Sequence, residues 1–203
     1  MSATSPSAEH LGRDEMPEER ARVDLYRLLA LLLAAPPSAG LLTLLRGISP
    51  GEGGLASLWQ DLRQAAEAAD PSALEREYHD LFIGLGRGEL NPYASWYLTG
   101  FLMEKPLAEL RDALARFGLT RRSGVPEPED HAAALCETMA ILLADPSRGD
   151  AVCEAFFRSY LGSWMERFFE DLQGANGARF YRAVGRLGRA FMEIEQQYYA
   201  MPA

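Results

Sequence analysis

Cysteine is scarce in this sequence. Its 203 residues include two cysteines, Cys136 and Cys153, which form no CxxC pair and have no histidine nearby at a spacing typical of metal ligands. A disulfide framework or a zinc site is therefore not expected. Both cysteines lie in apolar, helix-like stretches, where a free thiol packs as a small hydrophobic side chain. We expect both thiols to be reduced.

Basic residues are also in deficit. Twenty Lys and Arg face 29 Asp and Glu, and the formal net charge is −9. This balance argues against nucleic-acid binding, which needs clustered positive charge to neutralise phosphates. An acidic surface attracts a basic ligand when some of the charge lies near the site. An acidic surface also keeps a protein soluble, and composition alone does not decide between solubility and binding of a basic ligand.

Long apolar runs are missing. The longest, Leu28 to Ala35, is far shorter than the about 20 residues that a membrane helix needs, and it lies too far from the N-terminus for a standard export signal. Pro36 ends it. We therefore expect a cytoplasmic protein.

Signatures of catalysis and cofactor binding are absent as well. The sequence contains no GxxxxGK[ST], HExxH or GxSxG pattern. The glycines of segment 84–88 lack both a preceding strand and the full GxGxxG spacing, which favours a flexible loop. Asp130 and His131 are neighbours, and on a helix successive side chains point about 100° apart and form no dyad. We expect no enzyme activity, no cofactor and no metal, although a small helical enzyme using His131 as acid or base remains an alternative.

What is present is helical periodicity over most of the chain. Apolar residues recur every three or four positions, from a first helix at about Glu18 to Ala35 to a long last helix that contains Phe180 and Tyr198. We predict an all-α fold: a single-domain bundle of about eight to ten helices over residues 18–203, preceded by a flexible tail over residues 1–17.

Three helix starts can be predicted from capping residues. Before a helix that ends near Ile83, either Asp70 caps with Pro71 at the first position, or Ser72 and Glu75 form a capping box. Pro128 should open a helix whose dipole Glu129 and Asp130 complement. Ser163 and Glu166 are spaced as a further capping box. The aromatic segment from Tyr93 to Leu102 has no second strand to pair with and is predicted to be helical.

Two segments carry more specific information. The first is Glu77-Tyr-His-Asp-Leu-Phe-Ile-Gly84, followed by Asn91-Pro-Tyr-Ala-Ser-Trp-Tyr97; the second is Glu127-Pro-Glu-Asp-His131. A helix that ends LF-x-G, a loop with P-Y-x-S-x-Y and a downstream E-P-x-D-H, in this order, resemble the TorD/DmsD family. These proteins are NarJ-like chaperones of redox-enzyme maturation. The helical pattern is similar over nearly the whole chain from about residue 18.

The resemblance implies a cytoplasmic, all-helical chaperone. Its partner would be the precursor of a molybdopterin oxidoreductase catalytic subunit, bound through its twin-arginine signal peptide, as the apo subunit, or both, until the cofactor is inserted and before export. Reductases of S- or N-oxides, formate dehydrogenase and nitrate reductase are all candidate clients. The protein could be a monomer or a homodimer that swaps domains at a hinge over residues 120–125. A structural assembly subunit without a peptide groove is the alternative function.

The resemblance also implies a set of peptide-binding residues. A signal peptide with two arginines and an apolar stretch needs an apolar groove with negative charge at one end. On this reading, an Asp130→Ala change weakens binding of the precursor and leaves stability nearly unchanged. The residues that match family binding positions are Tyr78, Leu81, Phe82, Pro92, Tyr93, Ser95, Tyr97, Pro128, Asp130 and His131, with Asp80, Glu89, Glu127 and Glu129 as further sources of negative charge.

Overall fold

The protein is all-α. A computed structural model describes residues 17–84, 88–103, 105–120 and 126–201, and in these ranges it contains ten helices and no strand. This confirms the predicted fold class. The predicted tail lies almost wholly outside the described residues, as do positions 85–87 of the glycine-rich segment and 121–125 of the proposed hinge. The helices are α1 (Pro17–Ala34), α2 (Ala39–Arg46), α3 (Ala56–Ala68), α4 (Pro71–Phe82), α5 (Ala94–Thr99), α6 (Lys105–Arg116), α7 (Ala132–Leu143), α8 (Asp150–Tyr160), α9 (Met165–Gly174) and α10 (Phe180–Ala200).

Capping decides between the two predicted starts of α4. The Asp70 carboxylate accepts a hydrogen bond from the Ala73 amide at 2.8 Å, and Pro71 occupies the first helical turn. Asp70 is therefore the cap, because its short side chain satisfies an amide that has no partner within the helix. The aromatic segment predicted to be helical from Tyr93 to Leu102 is helical only from Ala94 to Thr99, in the short helix α5, which ends at Gly100.

Two other predicted helix starts are wrong. Helix α7 begins at Ala132 and not at Pro128, because the Pro128 carbonyl accepts from the His131 amide at 3.1 Å in a turn that precedes the helix. Helix α9 follows Trp164 and has no side-chain cap. The expected capping box is missing because the Glu166 carboxylate accepts from Gln196 of α10, at 3.3 Å.

The core is continuous along the bundle. Helix α1 packs extensively on α7, and α10 packs on α9 and α3. Gly185 allows α10 to approach α9 closely, because a Cβ atom there would lie 2.6 Å from the backbone nitrogen of Gln173. Both cysteines are free and buried. In the described part of the chain, no helix combines the length and apolar character that crossing a bilayer requires.

A buried ion pair fixes α1 against α10. The Arg22 Nε lies 2.7 Å from Glu195 Oε1, and the side chain of Glu195 is fully buried. The hydroxyl of Tyr26 donates to the same carboxylate at 3.0 Å. Since the inner face of α1 is fixed in this way, its outer face is left to line the surface, where Leu31 is 59% exposed.

Candidate functional site

The two segments that carry the family resemblance meet in the structure. Tyr93, just before α5, forms an isolated antiparallel bridge with His131, just before α7. The Ala94 amide donates to the Asp130 carbonyl at 3.0 Å, and the Ala132 amide donates to the Pro92 carbonyl at 2.8 Å. Residues almost 40 positions apart are thus joined by backbone hydrogen bonds, and the starts of α5 and α7 are held side by side.

We call the two bonded segments, residues 92–95 and 128–132, the junction. The Asp130 carboxylate lies inside it. Its residue is 1% exposed, and its Oδ2 accepts from the Ser95 amide at 2.9 Å, in the first turn of α5. Asp130 therefore caps α5 and not the helix that follows it in sequence. The Oδ1 of Asp130 and the Oγ of Ser95 are buried and have no hydrogen-bond partner among the described residues.

His131 caps the other helix. Its Nδ1 accepts from the Ala133 amide at 3.1 Å, and its ring meets the Tyr93 ring edge-on at a centroid distance of 5.0 Å. Burial lowers the pKa of His131 to about 4, so the ring is neutral near pH 7. Because Asp130 and His131 each bond to a different helix start, they do not form the acid–base dyad that an enzyme would need.

A cavity of about 630 Å³ opens beside His131. One wall is the outer face of α1, another is α7, and the third is the end of α6 with the segment that follows it. Most of the lining is apolar, and three carboxylates lie on the side of the 127–131 segment and α7. The lining residues are Arg27, Ala30, Leu31, Ala34, Leu114, Leu119, Thr120, Glu127, Glu129, His131, Ala133, Ala134, Glu137, Thr138 and Ile141.

Acidic side chains line this cavity. Among its described lining residues are Glu127, Glu129 and Glu137, together with the cation Arg27. Arg27 lies 3.4 Å from Asp24, and the Glu129 carboxylate binds Arg111, with its Oε2 at 2.9 Å from the Arg111 Nε. A cavity with an apolar wall and an acidic side suits a ligand that carries both apolar and basic groups.

The field of Glu127 extends to two tyrosines. Burial raises the pKa of Tyr78 to about 12, and the negative charge of Glu127 adds to that effect. The pKa of Tyr93 is raised by burial first, and then by Glu127 and Asp130. Both phenols are therefore neutral near pH 7, and the Tyr78 hydroxyl donates to the Leu33 carbonyl at 3.2 Å.

The ten predicted binding residues divide between the junction and the core. Pro92, Ser95 and Asp130 are buried in the junction, and Tyr93 and Pro128 are partly buried there. His131 is the member of the set that lines the cavity in the described part of the chain. The other four, Tyr78, Leu81, Phe82 and Tyr97, lie elsewhere.

Those four residues pack away from the cavity. Leu81 is fully buried, and the rings of Tyr78 and Phe82 both pack against Tyr181 of α10. The Tyr97 hydroxyl donates to Asp171 of α9 at 2.9 Å. In this conformation, Leu81 is part of the core and has no exposed surface that a partner could contact.

The predicted acidic residues also divide. Glu127 and Glu129 line the cavity as expected. Glu89 accepts instead from the amides of Asn176 and Gly177, at 2.6 Å and 3.0 Å. Asp80 is exposed beside His79, at 3.8 Å. The local negative field of the cavity thus comes from fewer carboxylates than the sequence suggested.

Sequence reasoning missed the apolar wall and one carboxylate. Leu31 belongs to the apolar run of α1, which is longer than one buried helix face requires. The extra apolar residues could have indicated an apolar surface on α1. Glu137 is the only charged residue of α7, the segment AAALCETMAILL, and Ile141 lies one helical turn further along. A lone carboxylate in an otherwise apolar helix is a second signal that could have indicated the site.

Comparisons with known proteins identify the family of this chain. Residues 51–170, more than half of the chain, match a family model described as "Nitrate reductase delta subunit". The chaperone protein TorD of Shewanella loihica is 27% identical over 201 residues, covering 90% of this chain and 94% of the relative. TorD of Vibrio atlanticus is also 27% identical, over 63% of this chain and 64% of its own length.

A solved structure supports the fold. A putative redox enzyme maturation protein from Archaeoglobus fulgidus superposes with a TM-score of 0.54 at 20% identity, covering 92% of this chain and 99% of that one. The sequence relatives are named as chaperones and not as enzymes, which confirms the expectation that the chain is no enzyme. The chain belongs to the nitrate reductase delta subunit family, the TorD/DmsD or NarJ-like group of redox-enzyme maturation chaperones.

Proposed function

We propose that this maturation chaperone acts in the cytoplasm by binding the precursor of a molybdopterin oxidoreductase catalytic subunit. It binds the twin-arginine signal peptide, the apo subunit or both, and holds the precursor until the cofactor is inserted and before export. The observation that carries the proposal is the cavity of about 630 Å³ in which Glu127, Glu129 and Glu137 lie beside the apolar outer face of α1.

The chemistry of the peptide matches this cavity. Guanidinium groups form strong, paired hydrogen bonds with carboxylates, and an apolar segment is stabilised by removal from water. Leu31 and Ile141, which are 59% and 43% exposed, offer apolar contact area. Tyr93, Pro128, Asp130 and His131 form the junction that sets the position of the acidic segment, and we assign the buried family residues to this positioning role.

The proposal is tested by titration calorimetry with a panel of signal peptides. The panel comes from the candidate clients: reductases of S- and N-oxides, formate dehydrogenase and nitrate reductase. One of these peptides should bind, and replacing both of its arginines with glutamine should weaken binding at least about 10-fold, which corresponds to about 1.4 kcal/mol. Equal affinity for both forms, or no binding by any peptide, contradicts the proposal.

A charge-neutral variant tests the acidic side directly. Glu137→Gln should weaken binding of the arginine peptide about 10-fold, and the effect should shrink at high salt because screening weakens the attraction between exposed charges. The matched control is Glu75→Gln, an exposed glutamate of α4, which should bind like the wild type. Salt-dependent calorimetry on the three proteins makes the comparison. Equal affinities in all three would remove Glu137 from the site.

A further inference from the structure

The segment between α9 and α10 lies over Leu81. Helix α9 ends at Gly174, and α10 begins at Phe180. A Cβ atom at Gly177 would lie 3.6 Å from Leu81 Cδ2, so the backbone at this position packs directly on the leucine side chain. Leu81 matches a family binding position, and yet it is 0% exposed. We call residues 175–178, which help to cover it, the strap.

The side chains of the strap bury little apolar area. Ala175 and Ala178 are 5% and 1% exposed, and Asn176 and Gly177 are exposed. An alanine removes one methyl group from water, which stabilises a segment much less than a buried leucine or phenylalanine does. Polar contacts therefore contribute a large part of what keeps the strap closed.

Glu89 makes these polar contacts. Its two carboxylate oxygens accept from the amides of Asn176 and Gly177, at 2.6 Å and 3.0 Å. Its own amide donates to the Asp80 carbonyl of α4 at 3.0 Å, which fixes Glu89 beside the end of that helix. Because Glu89 is exposed, water can compete for its oxygens. One exposed carboxylate thus holds the strap against α4.

The start of α10 is held separately. The Glu77 carboxylate of α4 accepts from the amides of Arg179, Phe180 and Tyr181, at 2.8 Å, 3.2 Å and 2.8 Å. Amides in the first turn of a helix have no acceptor within the helix, and Glu77 supplies one. Since these bonds lie beyond the strap, they keep α10 in place on α4 when the strap moves.

We propose that the strap opens and closes over Leu81, that Glu89 holds it closed, and that the apolar stretch of the precursor binds the open form. Opening exposes an apolar side chain at a family binding position while α4 and α10 stay in place. Because a ligand of the open form draws on a minor population, Glu89 lowers the apparent affinity for that ligand. The inference rests on the proposed function and adds its regulation.

Thiol labelling measures how often the strap opens. The probe is Ala178→Cys, which places a thiol at a buried position of the strap, and Ala175→Cys is the second probe if the first lowers the melting temperature. In this background Glu89→Ala removes the acceptor, and Glu75→Ala, at an exposed position of α4, is the matched control. Mass spectrometry after reaction with a maleimide separates the probe from the two native cysteines.

Loss of the Glu89 carboxylate should speed labelling at least about 10-fold, because it removes two hydrogen bonds that only the closed form makes. Glu75→Ala should label at the rate of the probe protein alone. When the strap recloses faster than it is labelled, the rate is proportional to the open population.

The affinity for the precursor should change by the same factor. In titration calorimetry, Glu89→Ala without the cysteine should bind the tightest-binding peptide of the panel at least about 10-fold more tightly than wild type. The reason is that the apparent Kd is inversely proportional to the open fraction while that fraction is small. Glu75→Ala should bind like the wild type.

Three results overturn the inference, and they differ in what they leave standing. If Glu89→Ala is labelled as slowly as the control, Glu89 does not hold the strap, and the proposed function stands. If labelling is faster and the affinity is unchanged or lower, the strap opens without serving binding, and the proposed function again stands. If no panel peptide binds the wild-type protein, the proposed function fails and the inference fails with it.

Discussion

Replacing Asp130 with alanine is expected to lower the free energy of unfolding by about 2 kcal/mol, the scale of losing a helix cap and leaving a buried amide unpaired. The change removes the acceptor for the Ser95 amide, which is buried at the start of α5. This revises the expectation that the sequence suggested, in which Asp130→Ala left stability nearly unchanged. Urea denaturation followed by far-UV circular dichroism measures the difference.

Two variants control this experiment. Asp130→Asn keeps an acceptor oxygen and should lose about half as much stability. Asp112→Ala changes an exposed aspartate of α6 and should unfold at the wild-type urea concentration. If Asp130→Ala also unfolds at the wild-type urea concentration, Asp130 does not stabilise the junction. The direct binding role implied by the family resemblance is then the better explanation.

Acidification should destabilise the protein through His131. Burial lowers the pKa of this residue to about 4 in the folded chain, against about 6.5 in an unfolded chain. Between these values the unfolded chain takes up a proton that the folded chain does not. The stability contributed by neutral His131 is therefore fully present above about pH 6.5 and is lost as the pH falls toward 4, by about 2 kcal/mol between pH 7 and pH 5.

Comparison with His131→Asn isolates this contribution, because asparagine also caps helices and does not titrate. The free energy of unfolding of the variant should fall less steeply than that of wild type between pH 7 and pH 5. His79→Gln, at an exposed position of α4, should follow the wild-type curve. Parallel curves for wild type and His131→Asn would show that His131 is not held neutral by burial.

The helices could be predicted because their signals are local. The apolar spacing of α10 and the Asp70–Pro71 start of α4 are written in consecutive residues, and both agree with the structure. The helix starts predicted from Pro128 and Ser163 were wrong because the contacts that decide them are not local. The side chains near them bond to other helices, as Asp130 does to α5 and Glu166 does to α10, and nothing in the local sequence reports such partners.

The candidate site could be predicted only in part. The proximity of Tyr93 and His131 followed from the family resemblance, and the structure joins them. The apolar wall did not follow, because it depends on which face of α1 is buried. Arg22 and Tyr26 bind the buried Glu195, and this contact between residues about 170 positions apart turns Leu31 outward.

The most direct test of the account is a photo-cross-link from Ile141, in the wall of the cavity beside His131. Ile141 and Ile194 are 43% and 42% exposed, so a benzophenone side chain at either position is equally accessible to solvent. With the tightest-binding twin-arginine peptide, the account predicts a covalent adduct from position 141 and none from position 194. Equal yields from the two positions, or no adduct from position 141 under conditions where the peptide binds, would contradict it.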